Sequence, residues 1–292
     1  MRLLLVGSGG FIGRHMLRTL ARRGIGVVEV SSRTAGGIDP VTGTFARKLA
    51  LDAPLDAVIF LSQWPSYGDL STASQLWSVN VASALAVATA ARAAGVRRFV
   101  YASTGNVYAP SFDPLSESSP VRRDNAYSLS KVHAEEALAL LRPDLQTVCA
   151  RLFTVYGPGQ QGRLVANLAK AVLAGDPVTL QPRVAGVPDE GLRLSLGHVA
   201  DVCDCLVELA TGEDPGPVLN VASGEPASLR RIALQIGTAL GREVLFRQGD
   251  SPRSFDLVAD VSLLARRATP LPTSLEDGIA STCVALPDTP SR

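Results

Sequence analysis

Short apolar runs alternate with longer helical patterns through the first half of the chain. The pattern predicts strands at residues 3–6, 27–30, 57–61, 98–102 and 146–152. Helices are predicted over 13–23 and 73–94, with Gly95 as the C-terminal cap of the second. Strands that are apolar throughout and alternate with helices are typical of a parallel, doubly wound sheet in an α/β fold.

The pattern changes after Tyr156-Gly157-Pro158-Gly159, where short helices, strands and loops mix with scattered prolines and arginines. We predict a dinucleotide-binding domain over residues 1–157, with a return segment near 196–224. Residues 158–292 then form mostly a smaller mixed α/β domain. It is expected to lie over the carboxyl edge of the sheet, where ligands of such folds bind.

Composition and charge narrow the class of protein. The 292 residues are 46% hydrophobic, which favours a folded chain with a sizeable core. The net charge of +1 gives no electrostatic argument for nucleic acid or an anionic membrane. We expect no apolar stretch long enough to span a bilayer, since the closest run, 81–94, fits a packed helix better. The N-terminus lacks the features of a signal peptide and is predicted to begin the first strand.

The four cysteines give no metal signature. Cys149, Cys203, Cys205 and Cys283 form no Cys-x-x-Cys pair, and the chain has only three histidines. We therefore expect no metal site and a reduced, cytoplasmic protein, with Cys203 and Cys205 buried on a helix.

Tyr127 and Lys131 are the first candidates for chemistry. They stand four residues apart before a run of good helix formers, so the phenol and the ammonium share one helix face. A nearby cation favours the phenolate, and a tyrosine tuned in this way could exchange a proton with a hydroxyl or carbonyl group of a substrate.

A glycine-rich turn joins the first strand to the first helix. Such a turn lets the backbone approach a diphosphate, whose charge is met by the helix N-terminus. The predicted cofactor contacts in this turn are Gly7, Gly10, Phe11, Ile12 and Gly13.

The end of the second strand bears on the choice of dinucleotide. Ser31 occupies the position where an acidic residue would hold the ribose hydroxyls of NAD, and Arg33 follows two residues later. A small hydroxyl and a guanidinium suit a 2′-phosphate, which favours NADP. If the strand is shifted, Glu29 supplies the acid and NAD is the alternative.

Four motifs occur in order: Gly7-x-x-Gly10-x-x-Gly13, Ser103-Thr104-x-x-Val107-Tyr108, Tyr127-x-x-x-Lys131, and Arg151-x-x-x-x-Tyr156-Gly157-Pro158-Gly159. With them the chain resembles, over nearly its whole length, the extended short-chain dehydrogenase/reductase family, in its NAD-dependent epimerase/dehydratase group. The resemblance implies a Rossmann-type domain and a homodimer. It also implies that Tyr127 is the acid/base and that Lys131 holds the nicotinamide ribose and lowers the tyrosine's pKa. Thr104 would bond the reacting oxygen.

Further roles follow from the same resemblance. Leu61 and Ser62 would line the cofactor cleft, and Phe153 would lie near the nicotinamide. The predicted substrate contacts are Gln63, Thr104, Asn106, Thr154, Arg193 and Arg253, the two arginines suiting a diphosphate. For each arginine, a solvated or salt-bridged state is the alternative.

Departures from the family pattern narrow the reaction. Gly105 and Asn106 stand where the dehydratases carry an acidic pair, so dehydration is not expected. Thr154 replaces a frequent asparagine, and the span from Ser31 to Asp56 is short for the family.

We expect hydride transfer at one carbinol or keto carbon of a sugar or nucleotide sugar. Reduction of a keto-sugar nucleotide by NADPH is favoured. An epimerase that retains NAD is the alternative, and a non-catalytic NADP-sensing protein is a more remote one.

Overall fold

The computed structural model describes residues 1–32, 37–39, 54–65 and 70–285. Its centre is a parallel six-stranded sheet in the order β10-β5-β4-β3-β1-β2. These strands are β1 (Arg2–Val6), β2 (Gly26–Val30), β3 (Ala57–Phe60), β4 (Arg98–Thr104), β5 (Gln146–Leu152) and β10 (Val218–Val221). The α/β, doubly wound prediction is confirmed, and the predicted strands are matched to within two residues at either end.

Burial on both faces explains the apolar strands. Along β1, Leu3 and Leu5 enter one hydrophobic core, and Leu4 and Val6 enter the core on the opposite face. Helices cover both faces: α1 (Phe11–Arg22) and α6 (Val199–Thr211) on the first, α3 (Ser83–Ala93) and α4 (Ala126–Ala139) on the second. Because all six strands are parallel, their carboxyl ends meet at the same edge of the sheet.

The predicted helix over 73–94 is continuous but not uniform. It comprises α2 (Ala73–Trp77), one π-helical turn (Ser78–Ala82) and α3. Contrary to expectation, Ala73–Ala93 is long and apolar enough to cross a membrane by length and composition. Leu76, Val79 and Val87 are nevertheless buried against the rest of the protein, and the core helix of a folded domain passes the same test.

A third hydrophobic core lies outside the two that flank the sheet. It joins α5 (Leu164–Ala174), α7 (Leu229–Leu240) and α9 (Leu275–Val284). Three short strand pairs accompany these helices: β6 (Thr154–Tyr156) with β9 (Leu196–His198), β7 (Val178–Leu180) with β12 (Phe246–Gln248), and β8 (Arg193–Leu194) with β11 (Ala227–Ser228).

The chain returns to the first core more than once. Helix α6 and β10, which lie within residues 196–224, pack there. Leu264 of α8 (Ser262–Arg267) and Leu271 also pack into this core, although they lie outside that segment. All four cysteines are buried and free, with Cys203 and Cys205 on α6 as predicted.

Candidate active site

The glycine turn is fitted tightly between β1, α1 and the end of β3. Gly7 has φ +96°, and a Cβ there would lie 2.8 Å from the Ser62 nitrogen and 2.9 Å from the Leu61 carbonyl carbon. A Cβ on Gly13 would lie 2.2 Å from the Gly7 oxygen. Leu61 and Ser62 therefore border the turn, and their place in the cofactor cleft stays a prediction.

The turn offers a place for a diphosphate. Gly10 precedes α1 in extended conformation and has no side chain with which to cap the N–H groups of the first turn. Uncapped N–H groups and the positive end of the helix dipole attract anions. The N-terminal residues of α1, among them Phe11 and Ile12, thus fit the diphosphate of a nicotinamide dinucleotide.

Ser31 lies beside this turn at the end of β2. Its Oγ is 3.8 Å from where a Cβ on Gly9 would stand, and its side chain is buried. Glu29 lies within β2 and is exposed. Arg33, the other residue on which the NADP prediction rests, lies outside the described residues.

Helix α4 carries the candidate acid/base. Its N-cap residue, Asn125, accepts a hydrogen bond from the Ser128 amide at 2.9 Å, which sets the helix start at Ala126, one residue before Tyr127. The Tyr127 hydroxyl donates to Gln63 Oε1 at 3.4 Å and is also hydrogen-bonded with Thr104. Thr104 Oγ1 accepts from the Asn106 amide at 3.2 Å. The structure thus brings together the tyrosine, the threonine and one predicted substrate contact, Gln63.

Lys131 lies one turn further along α4 and is buried. Its Nζ donates to the Ala102 carbonyl at 2.8 Å and stands 4.7 Å from the centre of the Tyr101 ring. Burial lowers the pKa of Lys131 to about 7, and the negative charge of Glu135 only partly offsets this effect. Burial likewise raises the pKa of Tyr127 to about 12, and the hydrogen bond with Thr104 only partly offsets it. The raised pKa of Tyr127 in the protein alone therefore follows from desolvation of the phenolate, and the lowering effect of Lys131 stays a prediction from the family resemblance.

A buried ion pair behind the site was missed by the sequence analysis. Glu135 accepts hydrogen bonds from Ser103 Oγ and from Arg151, whose Nη2 is 2.6 Å from Glu135 Oε2. Both charged side chains are 7% exposed. The available signals were the position of Glu135 four residues after Lys131 and the arginine that begins the fourth motif.

Asn80 links the loop after β3 to helix α4. It is fully buried in the π-helical turn, where its Oδ1 accepts from the Trp64 amide at 3.1 Å. Its Nδ2 donates to Ser130 Oγ at 3.0 Å, and this hydroxyl in turn donates to the Tyr127 carbonyl. The loop that carries Gln63 is thus fixed relative to Tyr127.

Gly105 and Phe153 are packed against each other under the site. The Phe153 ring is 1% exposed, so its side chain belongs to the core beneath Thr104 rather than to the open cleft. A Cβ on Gly105 would lie 2.9 Å from three atoms of that ring. The position that is acidic in dehydratases is therefore closed to a larger side chain in this chain.

We expect Gly105→Asp to lower stability by about 1–3 kcal/mol, because a buried ring cannot yield to the added atoms. Denaturant unfolding measures this change. Asn106→Asp is the matched control, since Asn106 is exposed and should accept the same carboxylate with little change. Equal stability of the two variants would contradict the packing of Phe153 against Gly105.

The two arginines predicted to bind a diphosphate differ in exposure and in ion pairing. Arg193 is exposed, and within the described part of the chain its guanidinium makes no ion pair. Arg253 donates to Asp256 at 2.8 Å and to Asp189 at 2.5 Å, and it is 8% exposed. For Arg253 the geometry favours the salt-bridged alternative, because its charge is already balanced by two carboxylates. Thr154 is half-buried at the start of β6, next to Phe153.

Comparison with known proteins identifies relatives of this chain. Residues 3–222 match the model of the NAD dependent epimerase/dehydratase family. The UDP-glucose 4-epimerase of Mycolicibacterium smegmatis is 29% identical over 268 residues, which cover 82% of this chain and 83% of that protein. The 2-alkyl-3-oxoalkanoate reductase of Stenotrophomonas maltophilia is 27% identical over 93% of this chain and 84% of its own. The structure of MoeE5 in complex with UDP-glucuronic acid and NAD superposes with a TM-score of 0.79 at 26% identity, covering 97% of this chain and 98% of that one.

Proposed function

This chain belongs to the NAD dependent epimerase/dehydratase family, and on that premise we propose that it is a nucleotide-sugar 4-epimerase that retains NAD. The observation that carries the proposal is the grouping of Thr104, Tyr127 and Lys131 at the sheet edge that bears the glycine turn. The likeness to a UDP-glucose 4-epimerase and to a structure that holds a UDP-sugar with NAD favours this substrate class.

Each group of residues has a separate role in the proposed reaction. The turn from Gly7 to Gly13 binds the dinucleotide diphosphate, and Lys131 holds the nicotinamide ribose. A bound dinucleotide supplies the hydride acceptor. Tyr127 takes the hydroxyl proton as the sugar carbon is oxidised and returns it when the carbon is reduced, and Thr104 holds the reacting oxygen.

Dehydration is outside this proposal. Elimination of water from a keto sugar needs an acid and a base beside Thr104. At those positions this chain has Gly105 and the neutral Asn106, and the Phe153 ring leaves no room for a side chain at position 105.

A keto-group reductase that uses NADPH is the second candidate. Ser31 beside the glycine turn favours it, because a hydroxyl group there does not repel a 2′-phosphate as an acid would. The likeness to a 2-alkyl-3-oxoalkanoate reductase points the same way and also admits a substrate without a nucleotide. A homodimer stays a prediction from the family resemblance, and a cytoplasmic location stays a prediction from the cysteine pattern.

We expect the purified protein with NAD to convert UDP-glucose to a mixture with UDP-galactose, without net change in NADH absorbance. Proton NMR of the sugar anomeric region measures the conversion. In parallel, thermal unfolding with NAD and with NADP compares the two dinucleotides, since the tighter ligand stabilises more at equal concentration. Failure to epimerise any UDP-hexose, together with stoichiometric NADPH oxidation by a keto compound, would establish the reductase instead.

A further inference from the structure

Lys131 is an unusual lysine in this chain. The sequence has three lysines, Lys48, Lys131 and Lys170, against 25 arginines. Lys131 is 1% exposed, whereas Lys170 is exposed on α5. A buried ammonium group is costly unless nearby charge compensates it, and a lysine, unlike an arginine, can lose its proton instead.

The groups that face Lys131 come from three elements. On its own helix are Tyr127 and Glu135, one turn before it and one turn after it. From β4 come the Tyr101 ring and the Ala102 carbonyl, and from β5 comes Cys149, whose pKa is raised by burial. Of these groups Glu135 is the carboxylic acid, and its charge favours the charged form of Lys131. It acts through space, since the Lys131 Nζ donates to Ala102.

Glu135 is held in place from two strands. From β4, Ser103 donates to one carboxylate oxygen, and Ser103 lies between Ala102 and Thr104. From β5, Arg151 donates through Nε at 3.1 Å and through Nη2 at 2.6 Å. Burial by itself lowers the pKa of Arg151, but the bonds and charge of Glu135 more than offset this, so that the pKa lies above its ordinary value.

Arg151 is anchored in turn. Its Nη1 donates to the Glu117 carbonyl at 3.2 Å, and its guanidinium lies 4.7 Å from the centre of the Tyr108 ring. The Tyr108 hydroxyl donates to Asn220 on β10 at 2.6 Å. The carboxylate next to Lys131 is thus fixed by a network that reaches across three strands of the sheet.

We propose that Glu135 is a positioning residue, held by Ser103 and Arg151, that keeps Lys131 charged and sets α4 in register with β4 so that Tyr127 faces Thr104. This inference rests on the proposed function for its consequence in catalysis. The charge of Lys131 itself is a property of the protein and is measured without substrate.

Lysine-selective ¹³C labelling with NMR gives the direct test, because the chain has so few lysines. The signals are assigned with Lys48→Arg and Lys170→Arg, and the titration midpoint of Lys131 is read from its ε-carbon shift. We expect Glu135→Gln to move this midpoint down by about one pH unit or more, roughly a tenfold change in the ionisation constant.

Glu136→Gln is the matched control. Glu136 is the next residue on the same helix, but it is exposed and pairs with Arg123. The same chemical change there should leave the midpoint of Lys131 where it is in the wild type.

Glu135→Gln leaves Arg151 buried without its partner and could prevent folding. The double variant Glu135→Gln/Arg151→Met removes both charges together, and its Lys131 midpoint should also lie below that of the wild type. A midpoint that stays at the wild-type value in whichever of the two variants folds overturns the proposal.

The kinetic readout separates this inference from the proposed function. The alkaline limb of the kcat profile should move to lower pH in the variant, since Lys131 then loses its proton earlier. A shifted NMR midpoint with no sugar turnover leaves this inference standing and refutes the epimerase. Normal sugar turnover with an unshifted NMR midpoint refutes this inference and leaves the epimerase proposal standing.

Discussion

Replacing Tyr127 by phenylalanine should lower turnover by about 10²–10⁴-fold while dinucleotide binding is retained. The hydroxyl is the group that contacts both Thr104 and Gln63, so its loss removes the proton carrier from the site. The phenyl ring keeps its packing at the start of α4, so the variant should fold. Steady-state turnover measures the effect, and thermal shift with NAD measures the retained binding.

Tyr156→Phe is the matched control for this change. Tyr156 is 2% exposed, and its hydroxyl points towards Gly278 on α9, away from Tyr127. Turnover should therefore stay close to that of the wild type. If Tyr127→Phe kept full turnover, the acid/base role of Tyr127 would be refuted.

The raised pKa of Tyr127 should make the rate of the reaction depend on pH. Because burial keeps the phenol protonated up to about pH 12 in the protein alone, the tyrosine is a proton donor near neutrality. Oxidation of a sugar hydroxyl needs the phenolate, whose population rises with pH. The oxidative half-reaction should therefore accelerate as pH rises, until Lys131, with its pKa of about 7, loses the charge that favours the phenolate.

The fold was open to prediction because its determinants are local. β5 was predicted with its true bounds because seven consecutive residues are buried or nearly so between two turn-rich segments. Gly95 adopts φ +73° after α3, as a helix C-terminal glycine should. The π-helical turn at Asn80 was not predicted, because its cause is tertiary: Asn80 bonds to Trp64 and Ser130, and neither contact is visible in helical periodicity.

The candidate site could be predicted where the spacing of a motif assigns a single role to a residue. Tyr127, Lys131 and Thr104 follow from spacing and resemblance, and the structure groups them. Arg253 was ambiguous from sequence, because an arginine suits a diphosphate and an ion pair equally well until Asp189 and Asp256 are placed beside it. Glu135 escaped notice for the same reason, since most carboxylates on helices are solvated and its burial depends on β4 and β5.

Replacing Gly13 by alanine should destabilise the protein by about 3 kcal/mol or more. The new Cβ would lie 2.2 Å from the Gly7 oxygen and 2.6 Å from the Ser8 oxygen, and both are backbone atoms in a turn that cannot relax without moving β1 away from α1. Thermal unfolding measures the loss, at roughly 2–4 °C for each kcal/mol.

Gly10→Ala is the control that separates packing from binding. A Cβ on Gly10 would come no closer than 3.4 Å to the protein, and the residue is exposed with φ −76°, so stability should change by less than about 0.5 kcal/mol. If the diphosphate approaches the backbone of this turn, the same methyl group should weaken NAD affinity by about tenfold or more, equivalent to 1.4 kcal/mol. An unchanged affinity would place the diphosphate away from Gly10, and a Gly13→Ala protein as stable as the wild type would contradict the close packing of the turn. The two glycines thus test separate roles, one in the fold of the turn and the other in the space that it leaves for the cofactor.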